Sequence, residues 1–248
     1  MKQTRILMGM PVILEVVDPG VTGKIFDTVF DYLGYVDRKF STYKQDSEIS
    51  MINRQELTLE EASDDMKAIF TLAEQTRLES GGYFEITRDG IYDPSGIVKG
   101  WAILRAADIL REAGFENFSV YAGGDIQVSG KNAQGQDWRV GIQNPFNPRE
   151  IVKVLSLQDC GIATSGTYAR GQHIYNPKQP DQPITAIVSL TVIGPDIFEA
   201  DRFATAAFAM GSAGINFIEE LEGLEGYLID RHGLATYTSR FERYVLHA

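Results

Sequence analysis

Apolar residues recur at two different periods along this chain, and the alternation between them sets out its elements. Residues 5–17 (RILMGMPVILEVV) are aliphatic and β-branched, which predicts a strand with a turn or bulge at Gly9 to Pro11. From Val21 to Phe40 the spacing changes to that of a helix, with Ile25, Val29, Leu33 and Val36 on one face. The polar segment 40–53 (FSTYKQDSEISMIN) ends in a short helix that Asp46 or Ser47 can cap. A second helix is predicted over 60–80, with Met66, Ile69, Phe70, Ala73 and Thr76 inward and Gly81-Gly82 as its stop. After the loop 81–96, residues 97–113 read as helix, closed by Gly114.

Strand signals then follow in series: SVYAGGDIQVSG, DWRVGIQNP, VKVLSLQDCGIATSG, HIYNP and ITAIVSLTVIG. Helices are predicted over 198–210 and 215–221, and GYLIDRHGLATYTS reads as a hairpin turning at His232-Gly233. Helices among many strands, without a regular βαβ repeat, predict an α+β fold with a mostly antiparallel sheet and packed helices. No linker, repeat or low-complexity tract interrupts the 248 residues, so residues 1–248 read as one domain that could divide into two lobes.

Composition narrows the function classes. The formal net charge of −11 disfavours nucleic acid and anionic lipid as general partners. A bound dinucleotide would then need a metal and local cations to offset the negative field. Cys160 is the single cysteine, so an intrachain disulfide is excluded; its apolar surroundings predict a buried small hydrophobe. No window is long and apolar enough to span a bilayer, and the N-terminus carries no cleavable signal pattern. The expectation is a soluble cytoplasmic protein, with its oligomeric state open.

Four clusters place glycines, small hydroxyls and carboxylates where a core would prefer bulk. In Asp93-Pro-Ser-Gly-Ile-Val-Lys-Gly-Trp, Gly96 and Gly100 bracket Lys99 at a helix start, which is either an anion site or a glycine-rich turn with a solvated lysine. In Tyr121-Ala-Gly-Gly-Asp-Ile, the paired glycines suit a tight turn or a close ligand approach, and Asp125 could bond a ribose or support the turn. The stretch 161–177 joins small hydroxyls to Arg170 and His173, whose imidazole suits acid–base work or an anion contact as well as a structural role. In Glu199-Ala-Asp-Arg-Phe-Ala-Thr, Asp201 and Thr205 stand at i and i+4, so one helix face carries two hard oxygen donors of the kind Mg²⁺ takes; an early-helix acid and a back-bonded threonine would give the same pattern. No P-loop, GxSxG, HExxH or strand-borne GxGxxG is present.

In order and wording these clusters resemble the ApbE family, the FAD:protein FMN transferases. The resemblance rests on Met8-Gly-Met-Pro, Phe40-Ser-Thr-Tyr with Asn53, Gly81-Gly-Tyr-Phe-Glu-Ile-Thr, Gly96-Ile-Val-Lys-Gly, Gly123-Gly-Asp, Ala163-Thr-Ser-Gly, His173-Ile-Tyr-Asn-Pro and Ala200-Asp-Arg-Phe-Ala-Thr. It implies a T-fold-like framework and an FAD site touching Met8, Tyr43, Tyr83, Phe84, Glu85, Asp93, Lys99 and Ile184. It implies magnesium, or manganese, held by Asp201, Thr205 and the carbonyl of Gly96, with His173 catalytic. The implied reaction moves FMN from FAD to a threonine or serine hydroxyl of an acceptor flavoprotein and releases AMP. The alternatives are an FAD pyrophosphatase yielding FMN and AMP, and a non-catalytic flavin-binding module. The chain departs from the family pattern in its few residues between Thr87 and Asp93, in Asn176 and Glu85 where aspartates are usual, in Lys178-Gln179-Pro180 and in Met10. No lipobox cysteine stands near the N-terminus, so the exported lipoprotein form is not expected.

Overall fold

A computed structural model describes residues 1–166 and 174–247. The expected first strand is a hairpin: β1 (Lys2–Leu7) and β2 (Met10–Val16) pair in antiparallel register, Leu7 opposite Met10. Met8 and Gly9, both at positive φ, make the two-residue turn; of the turn or bulge expected at Gly9 to Pro11 the turn forms, one residue earlier. Helix α1 (Gly23–Phe40) follows, burying Phe26, Val29, Phe30, Leu33 and Val36. The short α2 (Glu48–Asn53) is capped by Ser47, which accepts a hydrogen bond from the Ser50 N–H. Ser63 caps α3 (Asp64–Glu79), and Gly81 and Gly82 at positive φ end it.

A small hairpin, β3 (Thr87–Arg88) and β4 (Ile91–Tyr92), occupies the shortened stretch before α4 (Ser95–Glu112). Next come β5 (Phe118–Ala122), β6 (Asp125–Ser129), β7 (Trp138–Asn144), β8 (Asn147–Leu157), β9 (Cys160–Gly166) and β10 (Ile187–Gly194). Helices α5 (Ile197–Ala209) and α6 (Gly214–Glu220) precede the closing hairpin of β11 (Glu225–Asp230) and β12 (Ala235–Tyr237). The expected strand over HIYNP does not form across its described residues: Asn176 accepts the Lys178 N–H through its side chain and the Gln179 N–H through its carbonyl, which makes a turn.

Eight strands form one sheet in the order β1-β2-β5-β6-β9-β10-β11-β12, antiparallel throughout. The architecture is α+β, with helices on one face. There α4 lies over β5 and β6, α5 over β9 and β10, and α6 over β11. Alternate strand residues (Val12, Leu14, Val120, Ala163, Leu190, Val192) join these helices in the larger core. The opposite face is partly covered by the β7–β8 hairpin, whose Trp138, Ile142, Leu155 and Leu157 pack with Val128, Cys160, Ile162, Ile193 and Ile229. Cys160 is the buried small hydrophobe expected, its thiol pushed up to about 11 by burial. Among the described residues, no helix is long and apolar enough to cross a membrane.

One glycine sets how closely a helix meets the sheet. A Cβ on Gly161 would lie 2.1 Å from the backbone nitrogen of Ile197, so β9 and the start of α5 touch backbone to backbone. Gln127, buried on β6, holds the same contact: its Oε1 accepts the Ile197 N–H and its Nε2 donates to the Cys160 carbonyl. Because neither backbone can yield easily, Gly161→Ala is expected to cost about 3 kcal/mol in urea unfolding, the upper end for an overpacked site.

Candidate active site

A cavity of about 730 Å³ opens where the helical layer, the strand ends and the β7–β8 hairpin meet. That is a usual size for a small-molecule site. Its walls come from four parts of the chain: Tyr83–Ile86 after α3, the first turns of α4, the Gly123-Gly124 turn between β5 and β6, and α5. Tyr121, Ile126, Ile162 and Thr164, together with Val140 and Ile142 of the hairpin, complete it.

At the start of α4, Asp93 accepts the Ser95 N–H through its side chain, fixing the entry of the chain into the helix. Lys99, one turn on, reaches Asp125 Oδ2 at 2.5 Å and Asp201 Oδ1 at 3.4 Å. Asp125 is fully buried, and its Oδ1 accepts the Thr164 N–H. Burial pushes the Asp125 carboxyl up to about 7; the Lys99 ammonium pulls the other way, and Asp201 adds a like charge. On α5, Asp201 is 3% exposed and its Oδ2 accepts the Gly100 N–H at 2.8 Å. Only a glycine permits this contact: a Cβ at position 100 would stand 2.7 Å from Asp201 Cβ and 3.0 Å from the Ile197 carbonyl.

One turn along α5, Thr205 Oγ1 faces the Gly96 carbonyl oxygen at 3.5 Å. That is a long hydrogen bond but close to the separation of about 3 Å between neighbouring oxygens on a small octahedral cation. A carboxylate, a hydroxyl and a carbonyl make an all-oxygen set that fits a hard divalent cation, with water or phosphate oxygens in its remaining positions. Among the described residues no group of three or more His, Cys, Asp and Glu could hold a metal ion.

The residues expected from the sequence fall into three groups. Tyr83, Phe84, Glu85, Asp93, Gly96, Lys99, Asp201 and Thr205 all line the cavity. Tyr83 carries Lys178 Nζ 4.0 Å over its ring, and Phe84 is buried beside Gly96. Met8, Tyr43 and Ile184 are not among the lining residues: Met8 sits at the β1–β2 turn, Tyr43 is 98% exposed, and Ile184 is buried in the larger core. His173 and Arg170 lie outside the described residues. Sequence reasoning gave Asp125 only a turn or ribose role and missed it as the partner of Lys99. The signal, an acid following two glycines, is too common to single it out. It also missed the hairpin wall, where Arg139, Gln143 and Ile151 join the lining.

A model of the ApbE family matches residues 8–93 and 88–228 of this sequence. The chain belongs to the ApbE family. Curated relatives named FAD:protein FMN transferase include one from Salmonella typhimurium, 33% identical over 151 residues. That alignment covers 57% of this chain and 43% of the relative. Another, from Vibrio cholerae, is 35% identical over 128 residues, 48% of this chain and 38% of the relative. The matched stretch thus spans less than half the length of either. Among solved structures, the Vibrio cholerae flavin transferase ApbE superposes with a TM-score of 0.85 at 23% identity, covering 98% of both chains. An ApbE protein from Thermotoga maritima gives 0.88 at 20% identity, covering 100% of this chain and 99% of that one. At these identities the likeness establishes the ApbE fold.

The Lys99–Asp125 pair makes a stability prediction. Lys99→Met leaves a buried carboxylate without its nearest cation, at an expected cost of about 3–5 kcal/mol. The Asp125 carboxyl is already raised in the folded state, and removing the ammonium raises it further. The added cost is therefore small while Asp125 stays protonated in both proteins, below about 7, and grows as pH rises past that value. Urea unfolding should show a larger deficit at pH 8 than at pH 5, and the double variant Lys99→Met/Asp125→Asn should recover most of it.

Proposed function

We propose that this ApbE-family chain is a Mg²⁺-dependent FAD:protein FMN transferase, with Mn²⁺ as the alternative metal. The observation that carries the reading is the convergence of Gly96 O, Asp201 and Thr205 Oγ1 beside the Lys99 ammonium on one wall of the cavity. Hard oxygen donors next to a lysine suit a diphosphate. The relatives named FAD:protein FMN transferase supply the rest.

In this reading Lys99 neutralises phosphate charge, and the Tyr83–Glu85 wall and Asp93 hold the dinucleotide. A bound divalent cation would supply Lewis acidity at the diphosphate. The acceptor's threonine or serine oxygen forms a bond to the FMN phosphorus. The bond from that phosphorus to the bridging oxygen breaks, and AMP departs with the bridging oxygen. The hydroxyl proton passes to a base, a role that the family resemblance suggests for His173. FAD and an acceptor flavoprotein are thus the partners.

Incubation of the protein with FAD, MgCl₂ and an acceptor domain should give covalent flavin fluorescence on the acceptor and one AMP per flavin attached. Asp201→Asn should slow this by about 100-fold, the effect of losing some 3 kcal/mol of charge stabilisation at the reacting phosphate. AMP release at the same rate without any acceptor would instead assign the site to FAD hydrolysis. FAD binding without any AMP would leave a flavin-binding module.

A further inference from the structure

Arg202 follows Asp201 on α5 but faces away from the cavity, and it is only 6% exposed. Its guanidinium makes four hydrogen bonds to two helices. Nη1 donates to Glu79 and, at 3.2 Å, to Thr76 Oγ1, both on the last turn of α3. Nε and Nη2 make a fork with Glu199 on α5 at 3.0 and 2.7 Å. The cation lies 4.1 Å from the centre of the Phe203 ring. A charge taken this far out of water is costly, and here four of its five N–H donors are matched, three of them to carboxylates.

Both ends of this clamp lead into the cavity. Glu79 is the last residue of α3, and the chain then turns through Gly81 and Gly82 into the Tyr83–Ile86 wall. Ser80 ties that turn down by accepting the Phe84 N–H at 3.0 Å. On the other side, Arg202 stands about 100° round α5 from Asp201, so a fork held against α3 fixes the rotation of the helix about its axis. That rotation decides where Asp201 and Thr205 point. It acts beside the contacts at the cavity face of α5: the Gly100 N–H and Lys99 on Asp201, and Thr205 on the Gly96 carbonyl.

We infer that Arg202 is a positioning residue that locks the Tyr83–Ile86 wall and the Asp201/Thr205 oxygen pair into one geometry, so that dinucleotide and cation bind as a unit. This rests on the flavin-transferase reading of the cavity. A lysine cannot replace it, because one ammonium cannot present a planar fork to Glu199 while reaching Glu79 and Thr76.

The test measures FAD affinity by flavin fluorescence, with and without MgCl₂, together with the melting temperature. Arg202→Met and Arg202→Lys are compared with Glu79→Gln, which loosens the clamp from its half-exposed end. We expect both Arg202 variants to bind FAD about 10-fold more weakly in Mg²⁺, as a small misplacement of binding groups does. The concentration of Mg²⁺ needed for half-maximal tightening should rise in parallel. Glu79→Gln should shift both in the same direction by less, and add little to Arg202→Met in the double variant. Variants that melt at a lower temperature but bind FAD and Mg²⁺ like the wild type well below it would overturn the inference, leaving Arg202 a purely structural residue. If Arg202→Met does not fold, Glu79→Gln alone decides by the same two readouts. Failure of the wild-type protein to bind FAD would instead count against the transferase reading itself.

Discussion

Three buried or nearly buried charges, Lys99, Asp125 and Asp201, are the constraint around which this molecule is arranged. They come from α4, the first position of β6 and the second turn of α5. None can be withdrawn from water alone at tolerable cost, so the three elements that carry them have to meet. Their meeting requires helices to approach backbone atoms, which explains glycine at 100 and 161. At both positions a methyl group would collide with α5.

The same crowding creates the cavity. Where the helical layer is pulled down onto β6 and β9, the strand ends and the Gly123-Gly124 turn are left open toward solvent. The β7–β8 hairpin covers part of the other sheet face and raises a second wall. One wall is therefore charged and oxygen-rich, and the other sets Val140, Ile142 and Ile151 beside Arg139 and Gln143. Among the ties that keep the polar wall in register are the Gly100 N–H to Asp201 and the Arg202 fork between α3 and α5.

Most helices and strands could be read from local pattern, because capping residues and glycine stops act over three or four residues. Ser47, Gly81-Gly82 and Gly114 mark real boundaries for that reason. The pairing of Asp201 with Thr205 was legible too, since i and i+4 share a helix face wherever the helix lies. The readings that failed concerned backbone geometry that periodicity does not encode. The left-handed pair Met8-Gly9 placed the expected turn one residue earlier, and the side chain of Asn176 made a turn of residues whose β-branched and aromatic character suggested a strand.

Residue types and short-range spacing thus determined the elements, their ends, the antiparallel α+β class and a list of chemically able side chains. Tertiary structure alone decided which of these share a space. It joined Gly96 to Thr205 across 109 positions and Gly100 to Asp201 across 101, gave Lys99 its buried partner Asp125, and left Tyr43 in solvent. The physical reason is range. Caps and turns are settled by neighbours in the chain, whereas a buried charge finds its partner only when packing brings distant segments within a few ångströms.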